Sequence, residues 1–126
     1  MVAQDVHKYI GDNLSPYAEL TMDGLTAETD SVTVIQGRGE PIVTEYMSGA
    51  KSGRFHFDIR AKSADRIKAN IWIQGATDHF IQHPRIELTN RLFFTAEPTV
   101  LPYLIERTER GEYVYSAGFV VEYDQF

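Results

Sequence analysis

The fold of this chain can be derived outward from residues 53–80, which begin Gly53-Arg54-Phe55-His56-Phe57-Asp58-Ile59-Arg60-Ala61-Lys62-Ser63. Side chains of two kinds alternate strictly along this run. The apolar set is Phe55, Phe57, Ile59 and Ala61. The polar set is Arg54, His56, Asp58, Arg60 and Lys62. Because successive side chains of a strand point to opposite faces, the pattern predicts a half-buried β-strand at the centre of the sheet.

The period changes at Ser63, whose hydroxyl can accept a hydrogen bond from a free amide of a first helical turn. Asp65 would place negative charge at the positive end of the helix dipole. We therefore expect Ser63 to cap a helix that begins at Ala64, runs to Phe80 and ends before His83-Pro84. One arc of this helix is apolar and is expected to pack on a sheet: Ala69, Trp72, Ile73, Ala76 and Phe80.

Two further apolar residues of the predicted helix, Ile67 and Ile71, lie one turn apart on a different side. One sheet cannot bury both sets, so this second surface needs a partner of its own. Two partners fit the sequence equally well: an N-terminal helix, through Val6 and Ile10, or a neighbouring subunit.

The N-terminal region predicts one short amphipathic helix, because apolar residues recur at helical spacing until Ser15-Pro16: Val2, Val6, Tyr9, Ile10 and Leu14. Leu20 and Met22 fit a short strand that precedes a turn at Asp23-Gly24. Residues 31–36 are rich in β-branched side chains and predict another strand.

Glycines at positions 37 and 39 are expected to break that strand in a turn that ends at Pro41. A phosphate-binding loop would need a third glycine that opens a helix, so a plain turn is favoured. A second extended run, residues 42–47, and a loop, residues 48–53, would lead into the central strand.

The C-terminal third predicts further strands. Residues 91–96 form one, which Glu97-Pro98 is expected to close. Residues 101–105 and 113–123 alternate on either side of a turn at 108–111, which is typical of a β-hairpin. We therefore predict a single α+β domain over residues 1–126: a mostly antiparallel twisted sheet, one main helix on a face, and a short N-terminal helix.

Composition limits the functional classes. A chain of 126 residues with 43% hydrophobic residues can build a conventional core. The formal charge of −6 and the scattered 12 Lys and Arg oppose a surface that grips nucleic acid. The absence of cysteine excludes disulfides and thiolate chemistry. Met1-Val2-Ala3-Gln4-Asp5 lacks a signal-peptide pattern and no long apolar run follows, so we expect a soluble, non-secreted protein without membrane contact.

Candidate catalytic and metal-binding residues are few. His79 and His83 have a spacing that suits zinc, but a third ligand is not evident and Pro84 adjoins the second histidine. Asp58 and His56 invite an acid–base interpretation, although alternating charges on a strand more often form cross-strand ion pairs. We therefore expect neither enzymatic activity nor a cofactor or metal.

Tyrosines of the last strand, residues 113–123, could stack on bases. The acidic residues around them, Glu112, Glu122 and Asp124, oppose a basic groove. Core and interface packing is the better interpretation of these aromatic side chains.

Three motifs of the chain resemble a known family. They are Pro41-Ile42-Val43-Thr44-Glu45-Tyr46-Met47-Ser48-Gly49-Ala50-Lys51, then Phe55 to Ser63, and Gly111-Glu112-Tyr113-Val114-Tyr115-Ser116-Ala117 leading to Glu122-Tyr123. This pattern, from Val32 to Asp124, resembles the small minor capsid proteins of tailed phages of Gram-positive bacteria. Those proteins in turn look like the tail-terminator, or tail-completion, proteins of long-tailed phages.

The resemblance implies a structural virion protein without catalytic residues. It implies a homo-oligomeric ring, expected to be a hexamer, at the head–tail junction. Such a ring would cap the tail tube protein and join it to the head-completion or connector protein, while DNA passes through without specific binding. The chain would reside in the host cytoplasm during assembly. The tail-terminator-like fold that it implies has helices against one face of a sheet.

We expect any subunit interface to draw on six candidate residues: Ile67, Ile71, Arg54, Asp58, Arg60 and Lys51. A different class also fits the predicted fold. A small-molecule-binding or enzymatic α+β domain would place a pocket between the helix and the sheet, lined by convergent polar groups. The inward-facing positions predicted above are nearly all apolar, which favours the ring.

Overall fold

The computed structural model describes residues 2–39, 44–45, 51–83, 85–88 and 92–125. Its described part contains two helices, α1 (Val2–Asn13) and α2 (Arg66–Gln82). It also contains seven strands, β1 (Leu20–Met22), β2 (Ser31–Gly39), β3 (Thr44–Glu45), β4 (Lys51–Ser63), β5 (Ile86–Glu87), β6 (Leu92–Arg107) and β7 (Tyr113–Gln125). The strands form one curled sheet in the order β1-β2-β4-β7-β6-β5, with β3 on β4. All pairings except β1 with β2 are antiparallel, which confirms the predicted α+β class.

The central strand follows the predicted alternation. Its apolar set is buried on the face that α2 covers: Phe55, Phe57, Ile59 and Ala61. The β4 strand pairs with β7 along its whole length, from Lys51 opposite Gln125 to Ser63 opposite Tyr113. Aromatic rings fill the middle of the core, where Phe57 stacks on Phe119 at 5.0 Å between ring centroids.

Helix α2 packs on this face through four of the five predicted residues, Ala69, Ile73, Ala76 and Phe80, each at most 2% exposed. The fifth, Trp72, is half-buried at the rim, where its indole Nε1 donates a hydrogen bond to the Leu14 carbonyl at 2.8 Å. The ring of Phe80 completes the core, at 5.4 Å from that of Phe119 between centroids.

The predicted start of this helix was wrong by two residues. Asp65 is the N-cap, and its side chain accepts hydrogen bonds from the amides of Ile67 and Lys68. Ser63 remains the last residue of β4. Its hydroxyl accepts from the Asp65 amide at 3.1 Å and donates to Asp30 at 2.8 Å. The Asp65 carboxylate caps the helix and interacts favourably with its dipole. The Ser63 hydroxyl instead links β4 to Asp30. At the other end, α2 continues two residues beyond the predicted Phe80, to Gln82, and stops at His83 as expected.

Helix α1 and β1 confirm two further predictions. The apolar stripe of α1 inserts Val6 and Ile10 into the core. Its Tyr9 ring meets Phe94 edge-on at 5.7 Å between centroids. The segment after α1 holds β1 beside β2.

Two expected breaks are not breaks. The β2 strand continues through Gly37 to Gly39, and a shift in its register with β4 follows Gln36. The β6 strand runs through Glu97-Pro98 as one 16-residue element, with register shifts beyond Pro98. In both cases a bulge absorbs the strand-breaking residue, which is the usual way that glycine and proline enter sheets.

The remaining predictions for this part are mixed. The hairpin turn is present, and Gly111 adopts a φ of +80°, a left-handed conformation that favours glycine. Of the predicted run 42–47 the structure describes β3 alone, and the predicted loop 48–53 is strand from Lys51 onward. The other residues of those two predictions lie outside the described ranges, as does much of the first resemblance motif.

A network of polar contacts fastens residues 24–30 to the rest of the fold. Lys62, only 7% exposed, donates to the Thr26 carbonyl at 2.6 Å and lies 3.9 Å from the buried carboxylate of Glu112. Asp30 binds Lys68 at 2.7 Å as well as Ser63. Both hydrogen bonds favour the charged carboxylate, so the pKa of Asp30 is lowered.

Candidate functional site

The outer side of α2 carries three exposed isoleucines. Ile67, Ile71 and Ile81 are 63%, 66% and 55% exposed. Positions 67, 71, 74, 78 and 81 repeat at intervals of four and three residues, so all five lie on one side of the helix. The two polar members, Gln74 and Asp78, are exposed as well. We call this surface, residues 67, 71, 74, 78 and 81, the α2 stripe.

This exposure decides one of the alternatives that the sequence left open. The N-terminal helix does not cover Ile67 or Ile71, because its Val6 and Ile10 are buried in the main core instead. The prediction of a contact within the chain is therefore wrong. The prediction of a contact with a neighbouring subunit remains.

The charged candidate residues of β4 lie on the opposite side of the sheet from α2, because they alternate with the core residues. Arg54 Nε lies 3.9 Å from Glu122 Oε1, its register partner on β7, so the predicted cross-strand ion pair is present. Asp58 and Arg60 are half-buried. The Nε of Arg60 is buried and makes no hydrogen bond to the described residues.

The six candidate interface residues therefore do not form one surface. Ile67 and Ile71 lie on the helix, whereas Arg54, Asp58 and Arg60 lie across the sheet from it. Lys51 is the first residue of β4, and its side chain is outside the described part.

A second group of exposed apolar side chains, which project from both faces of one strand, was not predicted from the sequence. Val100, Leu101, Tyr103 and Leu104 of β6 are 46%, 68%, 51% and 45% exposed. We call these four residues the β6 strip. Within the described residues, β5 pairs with β6 only at Phe93 and Phe94, so the strip lies on an open edge of the sheet.

The sequence held a signal for this edge. Pro98 precedes the strip and Pro102 lies within it, and proline, which cannot donate to a ladder, is confined in sheets mainly to edge strands and bulges. The alternation of Leu101, Tyr103 and Ile105 predicted one strand of the hairpin, and β6 confirms that strand. Leu101 and Tyr103 are nevertheless both exposed, and register shifts beside Val100 and Leu104 interrupt the alternation of faces along this strand.

The two helical histidines stack on each other with their ring centroids 4.4 Å apart. The Tyr9 hydroxyl lies 2.7 Å from Nε2 of His79, which joins α1 to α2. Burial, and secondarily the neighbouring His83, lower the pKa of His79, and burial raises the pKa of Tyr9. Among the described residues, His, Asp and Glu side chains nowhere gather in a group of three that could hold a metal ion.

Among the described residues, α2 and the sheet meet through buried apolar side chains at the place where the ligand-binding alternative would put its pocket. Two surface clefts lie elsewhere on the described part. One of about 440 Å³ lies at the ends of β4, β6 and β7, where the Arg85 guanidinium covers the Phe93 ring at 4.9 Å. The other, of about 370 Å³, lies beside α1 and Glu87.

In the described part of the chain, neither helix is long and apolar enough to cross a membrane. Comparison with models of known protein families finds no match, and comparison with curated proteins finds none either.

Proposed function

We propose that this protein is a structural virion protein of a tailed phage or prophage, a tail terminator or minor capsid protein. In this proposal it forms a ring, a homohexamer, at the head–tail junction. The ring caps the tail tube and joins it to the head-completion proteins. Its subunits carry out no catalytic step and need no cofactor.

The observation that carries the proposal is the α2 stripe. Three large aliphatic side chains, Ile67, Ile71 and Ile81, are more than half exposed on one side of the main helix. Exposed apolar surfaces that are rimmed by polar residues mark interaction sites more often than scattered single residues do. A protein that works by assembling with other chains needs such a surface.

Two further facts agree with the proposal. The α+β fold, with a helix on one face of a mostly antiparallel sheet, is the architecture that the family resemblance implies. The net charge of −6 suits a conduit that lets DNA slide, because basic contacts would release counterions and hold the phosphates.

The test is a stop codon in the gene of the phage that encodes the chain. Electron microscopy of the lysate is expected to show filled heads that are separate from tails, and tails of uncontrolled length. Expression of the wild-type chain from a plasmid should restore joined particles of uniform tail length. Normal joined particles without the protein would refute the proposal.

A further inference from the structure

The α2 stripe and the β6 strip are two different apolar surfaces on one chain. A symmetric dimer through the α2 stripe would leave the β6 strip exposed, and the reverse also holds. A head-to-tail contact, in which each surface meets the other on a second copy, covers both in every subunit. Contacts of this heterologous kind close into rings when the rotation between subunits allows it.

We propose that the β6 strip of a second copy of this chain docks on the α2 stripe. This inference rests on the ring of the proposed function and identifies the two surfaces that build it. The stripe from Ile67 to Ile81 extends about 21 Å along the helix at 1.5 Å per residue. The strip from Val100 to Leu104 extends about 13 Å at 3.3 Å per residue, so it fits within the stripe.

Basic side chains lie at one end of the α2 stripe, and one acidic side chain lies beyond each end of the β6 strip. Arg66 and Lys68 flank Ile67 on the helix and are exposed, although Lys68 also binds Asp30. Glu97 and Glu106 lie on either side of the β6 strip and are exposed too. An arrangement that places one of these glutamates beside Arg66 is favoured by the opposite charges.

Cysteine cross-linking tests the contact, because the chain has no cysteine of its own. Ile71→Cys and Leu101→Cys are prepared as separate proteins, mixed and oxidised mildly. We expect the mixed disulfide to form about tenfold more than either homodisulfide, because docking raises the effective concentration of the two thiols. Glu28→Cys, at an exposed position of the 24–30 segment, is the matched control and should give only the random yield in every mixture.

A second experiment uses Ile71→Glu and Leu101→Glu. Each variant alone should stay at the mass of one chain, 14.3 kDa, because each has lost one of the two surfaces. Their mixture should give a dimer that does not grow, since the intact strip of the first variant meets the intact stripe of the second. Analytical ultracentrifugation measures both.

Each other outcome overturns the inference. Preferential homodisulfides of the Ile71→Cys protein, together with dimers of the Leu101→Glu variant alone, would show a symmetric contact. Random disulfide yields from a wild-type protein that still forms rings would refute the paired surfaces but leave the proposed function intact. Random yields from a monomeric wild-type protein would refute docking between copies, and the stop-codon experiment would then decide the function separately.

Discussion

The buried pair of Lys62 and Glu112 should respond to mutation as a unit. Their side chains are 8% and 4% exposed, and Lys62 Nζ lies 3.9 Å from Glu112 Oε2, which accepts no hydrogen bond within the described residues. Lys62→Met would leave that carboxylate buried without its cation. Removing one member of a buried ion pair costs about 3–5 kcal/mol, a large part of the roughly 5–15 kcal/mol that stabilises a typical domain.

The double variant should be much less damaged than the two single variants together. Glu112→Gln keeps an acceptor for the hydroxyl of Thr108, which binds Oε1 at 3.0 Å, but leaves the ammonium of Lys62 without a countercharge. In Lys62→Met/Glu112→Gln neither charge remains, so we expect a coupling free energy of about 2 kcal/mol from the double-mutant cycle. Urea titration followed by fluorescence of Trp72, the single tryptophan of the chain, measures each free energy of unfolding. Single variants that each cost under about 1 kcal/mol, or costs that simply add, would refute this reasoning.

Three further predictions address pH, packing and DNA. Burial and the neighbouring His83 lower the pKa of His79 from 6.5, so the unfolded state takes up the proton first as pH falls. The free energy of unfolding should therefore decline below pH 6.5 and level off below the pKa of the folded state. His79→Gln should flatten that part of a profile of melting temperature against pH. Gly53 lies directly under the ring of Tyr123, its register partner. Gly53→Ala should therefore lower the free energy of unfolding by about 1–3 kcal/mol, as measured by urea titration. Adding Tyr123→Leu to the same chain should recover part of that loss. Because the chain carries a charge of −6, fluorescence anisotropy should show only weak binding to duplex DNA, with a shallow dependence on salt. Tight binding that weakens steeply with salt would contradict an acidic or neutral conduit.

Strong local periodicity made much of the fold predictable. Residues 53–63 predicted one apolar face of a strand, and α2 predicted one apolar arc of a helix. In the structure these two surfaces pack against each other in the core. Boundaries were predicted less well, because two residues of similar chemistry competed for one role. Asp65 and Ser63 can both cap a helix, and only the contact of Ser63 with Asp30 shows why the aspartate does so.

The surfaces were harder to predict than the core. A strand edge is defined by which strand is missing beside it, and that depends on the order of the whole sheet. The β6 strip therefore could not be recognised from residues 101–105 alone, whose alternation is typical of a half-buried strand. The α2 stripe was recognisable in part, through Ile67 and Ile71, because two apolar sides on one helix exceed what one sheet can cover. Ile81 lay beyond the predicted end of the helix.

Ile71→Glu now has a definite expected outcome. With the N-terminal helix engaged elsewhere and Ile71 66% exposed, a charge at this position stays in water, and the free energy of unfolding of the monomer should change by no more than about 0.5 kcal/mol. Ile73→Glu is the matched control, since Ile73 lies two residues away on the same helix and is fully buried. A charge there should cost several kcal/mol, about the stability of a small domain, and unfold the chain.

Assembly is the second property to measure for the Ile71→Glu protein. The Ile71→Glu protein is expected to keep its melting temperature, remain monomeric and fail to restore joined particles in the stop-codon phage. If it folds, assembles and restores particles as the wild type does, the α2 stripe is not a subunit contact. If instead it melts many degrees lower, Ile71 supports the fold of the monomer, and its exposure on α2 would have been the wrong basis for an interface.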